Sequence, residues 1–304
     1  MMLNPIFESS ARRRMRTVKT PVIVTAYAAV LLIFSLCQLT RFFGQGIAVW
    51  QARISTEWYI WLTALQFLLI LLVAPALSAG SIAGERERQT FDLLLVTGVG
   101  TRRIVLGKMM ENFAFLALLI LCGAPVMALA YVTGGVPVTD IAVTLAYLLV
   151  IALAALSVGM VMSVCMRRSL TAIIAAYLMI FIIGAGTWGL AKHGPFAARY
   201  TIETFERLAG GWDALVTMPV TIFLNPAVAL VMLLASQTGI LHNTMQNTMR
   251  LSDIYTAANI AGFGRVAWVS LAAILAAALL LIALSIAVLH AQTGAARGGG
   301  RYKG

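Results

Sequence analysis

Residues 85–108 read ERERQTFDLLLVTGVGTRRIVLGK, and they separate two hydrophobic runs that are each long enough to cross a bilayer. The order is charge, then apolar residues, then glycine, then base. Residues 90–96 carry Phe91, Leu94 and Leu95, with Asp92 near the front, where a helix dipole favours a carboxylate. Gly98 and Gly100 break that short helix, because glycine adopts positive φ without steric cost. Thr101 is placed to cap a second helix that runs through Ile104 and Leu106 into the next hydrophobic run. A short helix with Phe and Leu at a membrane surface has two readings. It is a knob that inserts into a pocket on another protein, or a loop whose apolar residues lie on the lipid interface.

Composition places the chain in lipid. Of its 304 residues 61% are hydrophobic and only 11% charged, where soluble proteins carry about 25%. The net charge of +11 does not point to nucleic acid, because the basic residues cluster at the ends of apolar runs. There they face anionic headgroups and set topology. Cys37, Cys122 and Cys165 have no metal-ligand spacing and read as small core residues.

Outward from the loop, runs of spanning length fall at 21–40, 58–83, 109–132, 141–166, 169–190 and 266–290. Trp58, Tyr59, Trp61, Tyr131 and Trp268 stand at run ends, where aromatic belts belong. With the N-terminus inside, 15 Lys and Arg residues face the cytoplasm and 7 lie outside. That bias puts both termini and the 84–108 loop in the cytoplasm. Before the first run, Asn4-Pro5 starts an amphipathic helix over residues 1–20, with Phe7, Ala11, Met15 and Val18 opposite Arg12, Arg13, Arg16 and Lys19. The 192–265 region is polar and loop-like except for 219–235, PVTIFLNPAVALVMLLA, which Asn225-Pro226 interrupts. A seventh span there would move the basic tail outside, so a re-entrant or interfacial hairpin fits better. Residues 291–304 read as a basic, Gly-rich, flexible tail. The expected fold is an all-α integral membrane protein with six transmembrane helices over 21–290, an N-terminal interfacial helix and that extracytoplasmic hairpin.

Two motifs tempt and fail. Residues 184–189, GAGTWG, match G-x-G-x-x-G but lie inside an apolar run without a preceding strand, and read as close helix packing or a bend. Gly107-Lys108 is followed by Met109 where a phosphate-binding loop needs Ser or Thr, so the chain has no recognisable nucleotide pocket. The run interiors hold almost no ionisable residues, whereas ion-coupled transporters need ionisable or unwound sites near the midplane. Glu111 and Asn112 are candidates for a polar contact where the third run begins, or for pairing with Lys108 at the interface. Gln66, Tyr147, Tyr177 and Thr187 are polar groups inside runs, suited to a substrate path or to ordinary interhelical hydrogen bonds.

Glu85-Arg86-Glu87, Thr90-Phe91-Asp92, Leu93-Leu94, Thr97 and Gly107-Lys108 resemble the cytoplasmic signature of type-two ABC exporter permeases. Asn4-Pro5-Ile6-Phe7 before a basic cluster is similar to that family's interfacial helix. One position departs: many members carry Pro after the Thr/Ser, where this chain has Gly98. The resemblance implies that the short helix is a coupling helix seated in a separate ABC ATPase subunit, which binds ATP and Mg, with no cofactor in this chain. The implied docking surface is Glu85, Arg86, Glu87, Thr90, Phe91, Asp92, Leu94 and Leu95, with Arg167 and Arg168 as a lesser contact. It implies pairing with a second permease subunit, same or homologous, and a substrate path between the two. It also points to a multi-pass protein of a bacterial cell membrane, surrounded by lipid and without nucleic acid. The alternative from another class is a membrane scaffold or sensor that docks a cytoplasmic partner without transport.

Overall fold

The structure, a computed structural model, describes residues 19–42, 51–91, 100–132, 135–193, 224–238 and 260–299. These form seven helices: α1 (Lys19–Phe42), α2 (Gln51–Glu87), α3 (Thr101–Val132), α4 (Val138–Cys165), α5 (Ser169–His193), α6 (Pro226–Thr238) and α7 (Ile260–Gly299). No strand occurs among the described residues. Each expected run falls on a helix. Five stretches are long and apolar enough to cross a membrane: Ser55–Glu87, Thr101–Val132, Val138–Cys165, Ser169–Thr187 and Ala267–Thr293. Pro21–Cys37 and Pro226–Thr238 are shorter apolar helices. The N-terminal helix expected over 1–20 falls almost wholly outside the described residues. α7 continues through Gly299, into the stretch expected to be a flexible tail.

α4 is the interior helix. It packs against α2, α3, α5, α6 and α7, and its most apolar window is 56% buried against 11% for α5 and 17% for α7. The reason is a line of small residues, Ala152, Ala155, Gly159 and Ser163, that lets a neighbouring backbone come close. A Cβ on Gly159 would lie 1.9 Å from the Ser78 hydroxyl and 3.1 Å from the Pro75 carbonyl oxygen, both on α2.

α2 has an unusual middle. Pro75 has no N–H to donate within the helix, and side chains from three other helices serve the backbone around it. The Tyr177 hydroxyl of α5 donates to the Leu72 carbonyl, and Asn112 of α3 donates to Leu77 O at 3.4 Å. Ser163 Oγ of α4 accepts from the N–H groups of Ile82 and Ala83 at 2.9 and 3.0 Å. Tyr177, Asn112 and Ser163, polar side chains inside apolar runs, are thus spent on helix-to-helix bonds.

Several positions differ from expectation. Trp58 and Tyr59 do not line a lipid interface: both are buried, while Trp61, Tyr131 and Trp268 are exposed as an aromatic belt requires. Cys37 and Cys165 are exposed rather than core. Gly184 and Gly186 make no close packing, since a Cβ on either would meet nothing within 4 Å. The first carbonyl of α3 is that of Gly100, which accepts from Arg103 N and Ile104 N, so Thr101 is the first helical residue and not its cap.

Candidate functional site

The basic end of the bundle carries Arg86, Arg88, Arg102, Arg103, Lys108, Arg167 and Arg168. Here α2 stops in a two-bond closure: Thr90 N donates to Glu85 O at 3.0 Å and Gln89 N to Arg86 O at 3.1 Å. Gln89 takes φ of +58°, the left-handed conformation this C-cap requires and glycine usually supplies. Thr90 Oγ1 adds a bond to Glu85 O. The turn sends Phe91 back under its own helix. Phe91 is only 7% exposed, and the Arg86 guanidinium lies 5.1 Å above its ring.

Glu85, Arg86 and Glu87 each reach a different neighbour, because successive helical residues point about 100° apart. Glu85 pairs with Lys108 of α3 at 2.7 Å. Arg86 donates Nη1 to Val164 O, near the C-terminus of α4, at 2.7 Å, and Nη2 to Gln292 Oε1 of α7 at 2.6 Å. A cation is favoured there, where the last helical carbonyls lack partners. Glu87 Oε2 accepts from Ser169 N at 3.0 Å and from Ser169 Oγ at 2.5 Å, so a carboxylate of α2 caps the N-terminus of α5. Three consecutive side chains thus tie the end of α2 to α3, α4, α5 and α7.

The expected docking residues therefore divide. Glu85, Arg86, Glu87, Thr90 and Phe91 make bonds or packing contacts inside their own chain, and Arg167 and Arg168 are exposed on the connection between α4 and α5. Asp92, Leu94 and Leu95 lie outside the described residues. Ser169 and Gln292 were missed by sequence reading, since nothing local marks a serine or glutamine as the partner of a distant triplet.

The expected path residues do not converge as a set. Asn112 and Tyr177 serve the backbone of α2, and Glu111 is half-buried at the start of the third span. Gln66 is fully buried on α2, with both amide atoms unpaired, beside Gly123 of α3, where a Cβ would strike its Nε2 at 1.7 Å. Tyr147 and Thr187 do come together, at the start of α6. The Tyr147 hydroxyl donates to Pro226 O at 3.3 Å. Asn225 Nδ2 donates to Thr187 Oγ1 at 2.8 Å and to Gly184 O at 3.2 Å. Asn225 Oδ1 accepts from Ala227 N and Val228 N at 3.0 and 3.3 Å, an N-cap with Pro226 as first helical residue. The Asn225-Pro226 break read from sequence is thus a helix start buried inside the bundle.

α6 has 13 residues, about 20 Å at 1.5 Å per residue, against about 30 Å of hydrocarbon. Its far end is held where α4 begins, away from the basic end. Gln237 Nε2 donates to Asp140 O at 3.1 Å, and Gln237 Oε1 accepts from Thr144 Oγ1 at 3.2 Å and Tyr59 Oη at 3.3 Å. Below the start of α6 lies an apolar cavity of about 330 Å³ between α2, α4, α5 and α7.

A comparison with curated proteins found no match. A family model described as ABC-2 family transporter protein matches residues 45–293, taking in α2 to α6 and all but the end of α7. With a helical membrane bundle, the charged triplet at the end of α2 and a family match over most of its length, the chain belongs to the ABC-2 family of transporter proteins.

Proposed function

We propose that the chain is the membrane subunit of an ATP-driven exporter and docks a separate ABC ATPase through the 85–108 loop. The observation that carries this reading is the brace at the end of α2. A push on the loop reaches α3, α4, α5 and α7 at once through Glu85, Arg86 and Glu87. In this reading Leu94 and Leu95 supply apolar contacts to the ATPase and Asp92, Arg167 and Arg168 polar ones, while Glu85, Arg86, Glu87, Thr90 and Phe91 stiffen the end of α2. ATP and Mg belong to the partner. Two permease subunits pair, and the path runs between them. α1 is the sixth span, and α6 is a re-entrant half-helix on the extracytoplasmic side.

Leu94→Ala with Leu95→Ala tests the docking. Each fully buried side chain of this size contributes roughly 1.5–3 kcal/mol, so the double variant loses about two to four orders of magnitude in affinity for the ATPase. Co-purification with the cognate ATPase and ATP turnover of the reconstituted complex measure it. A double variant that inserts normally, keeps its partner and keeps full turnover refutes the docking surface. A wild-type complex that assembles but shows no ATP-dependent transport favours the scaffold reading.

Orientation has its own test. In a background lacking the native cysteines, Arg88→Cys is expected to resist an impermeant thiol reagent in intact cells and to label after permeabilisation. Labelling from outside reverses the topology.

A further inference from the structure

We infer that the cavity between α5 and α7 is a binding site for one acyl chain of a bilayer phospholipid. α5 and α7 both pack on α4, with the cavity lying between them. Its floor is α4, where Ile151, Ala154, Ala155 and Val158 face it, and its roof is the Asn225-Pro226 start of α6. The space exists because the positions that would fill it are small: Ala154 and Ala155 on α4, Gly184 on α5, Ala277 and Ala278 on α7. At about 330 Å³ it falls at the small end of ligand pockets.

The chemistry of the walls selects the occupant. The polar side chains on the lining are those of Thr187 and Asn225. Thr187 donates to Ile183 O and Gly184 O of its own helix. Both amide hydrogens of Asn225 are committed to Gly184 and Thr187, and its oxygen takes two backbone N–H groups. Water fills a cavity only where several polar groups hold it, and these are already satisfied. An empty apolar space of this size destabilises a protein in proportion to its volume. The flanking helices present Phe181 and Leu280, 69% and 72% exposed, to the surroundings, apolar groups that suit contact with lipid. A chain that slides between α5 and α7 covers apolar wall without leaving a polar group unpaired. The inference goes beyond the export reading and holds equally for a scaffold.

The test uses the full chain in nanodiscs containing a phosphatidylcholine with a diazirine in the middle of one acyl chain. Surrounding lipid labels Phe181 and Leu280 whatever the cavity holds. Ile151 and Val158 are 1% and 7% exposed, while Leu153 and Ala154 between them are half-buried, so carbene adducts on Ile151 and Val158 themselves require a chain inside. The expected result is adducts on Ile151 and Val158, lost in Ala277→Phe while labelling at Leu280 persists. Ala154→Leu fills the same space from α4 and guards against misfolding of the first variant. Added phospholipid is also expected to raise the Tm of delipidated wild type and not that of the filled variants. Absence of adducts on Ile151 and Val158 in wild type, or their persistence in both filled variants, overturns the proposal. So does labelling of Ile151 and Val158 by a water-soluble diazirine alone, or a cross-link there to a second copy of the chain.

Discussion

Gly159→Leu is expected to leave little folded protein. The glycine faces α2 where no side chain fits: a Cβ there would approach Ser78 Oγ to 1.9 Å, Pro75 O to 3.1 Å and Ala79 N to 3.2 Å. The hydroxyl can rotate away, but the other two atoms are backbone and move only with the helix. Overpacking a close contact costs about 1–3 kcal/mol, and more when backbone must shift. Separating the helices also stretches the bonds from Ile82 N and Ala83 N to Ser163 Oγ, now 2.9 and 3.0 Å. In a low-dielectric interior each lost partner adds about 1–3 kcal/mol. The combined loss is about 4 kcal/mol or more, against a typical total stability of about 5–15 kcal/mol. Monodisperse yield in mild detergent and Tm measure it. Gly186→Leu is the matched control, because nothing lies within 4 Å of its Cβ position, and it is expected to behave like wild type. Equal behaviour of the two variants would mean that α2 and α4 do not meet at Gly159.

Arg86→Ala has the second largest expected effect, and a local one. It removes the bonds to Val164 O and Gln292 Oε1 and uncovers the Phe91 ring. A hydrogen bond to a charged group contributes about 1.5–3 kcal/mol and a cation–π contact at an exposed site about 0.5–1 kcal/mol. Arg86 is half-buried and its Gln292 bond is solvent-exposed, so screening lowers the sum to about 2–3 kcal/mol. Hydrogen exchange is expected to accelerate about 30- to 150-fold in the last turn of α4 and around Phe91, with the middle of α4 unchanged. If the chain docks an ATPase as proposed above, ATP turnover of that complex is expected to fall with it. Arg86→Lys keeps the charge but not the planar fork that serves two acceptors at once, so it restores less than half of the protection. Unchanged exchange in the alanine variant would show that the brace does not hold α4.

The features legible in the chain are local in origin. The spans follow from the length and hydropathy of continuous runs, a property of the chain before it folds. The start of α6 follows from Asn225-Pro226, since a capping amide and a fixed φ act within one turn. The family could be read from a loop signature of contiguous residues, and the match over residues 45–293 bears it out. How those elements use their side chains depends on packing between distant parts of the chain. Glu85, Arg86 and Glu87 looked like one charged surface in the sequence. On a helix they diverge, and only the positions of α3, α4, α5 and α7 give each its own partner. Glycine shows the same limit. Gly159 is pressed against α2 and Gly184 borders an open cavity, although both stand in similar apolar runs. A missing side chain permits close approach without requiring it, and the neighbour that approaches comes from a distant part of the chain.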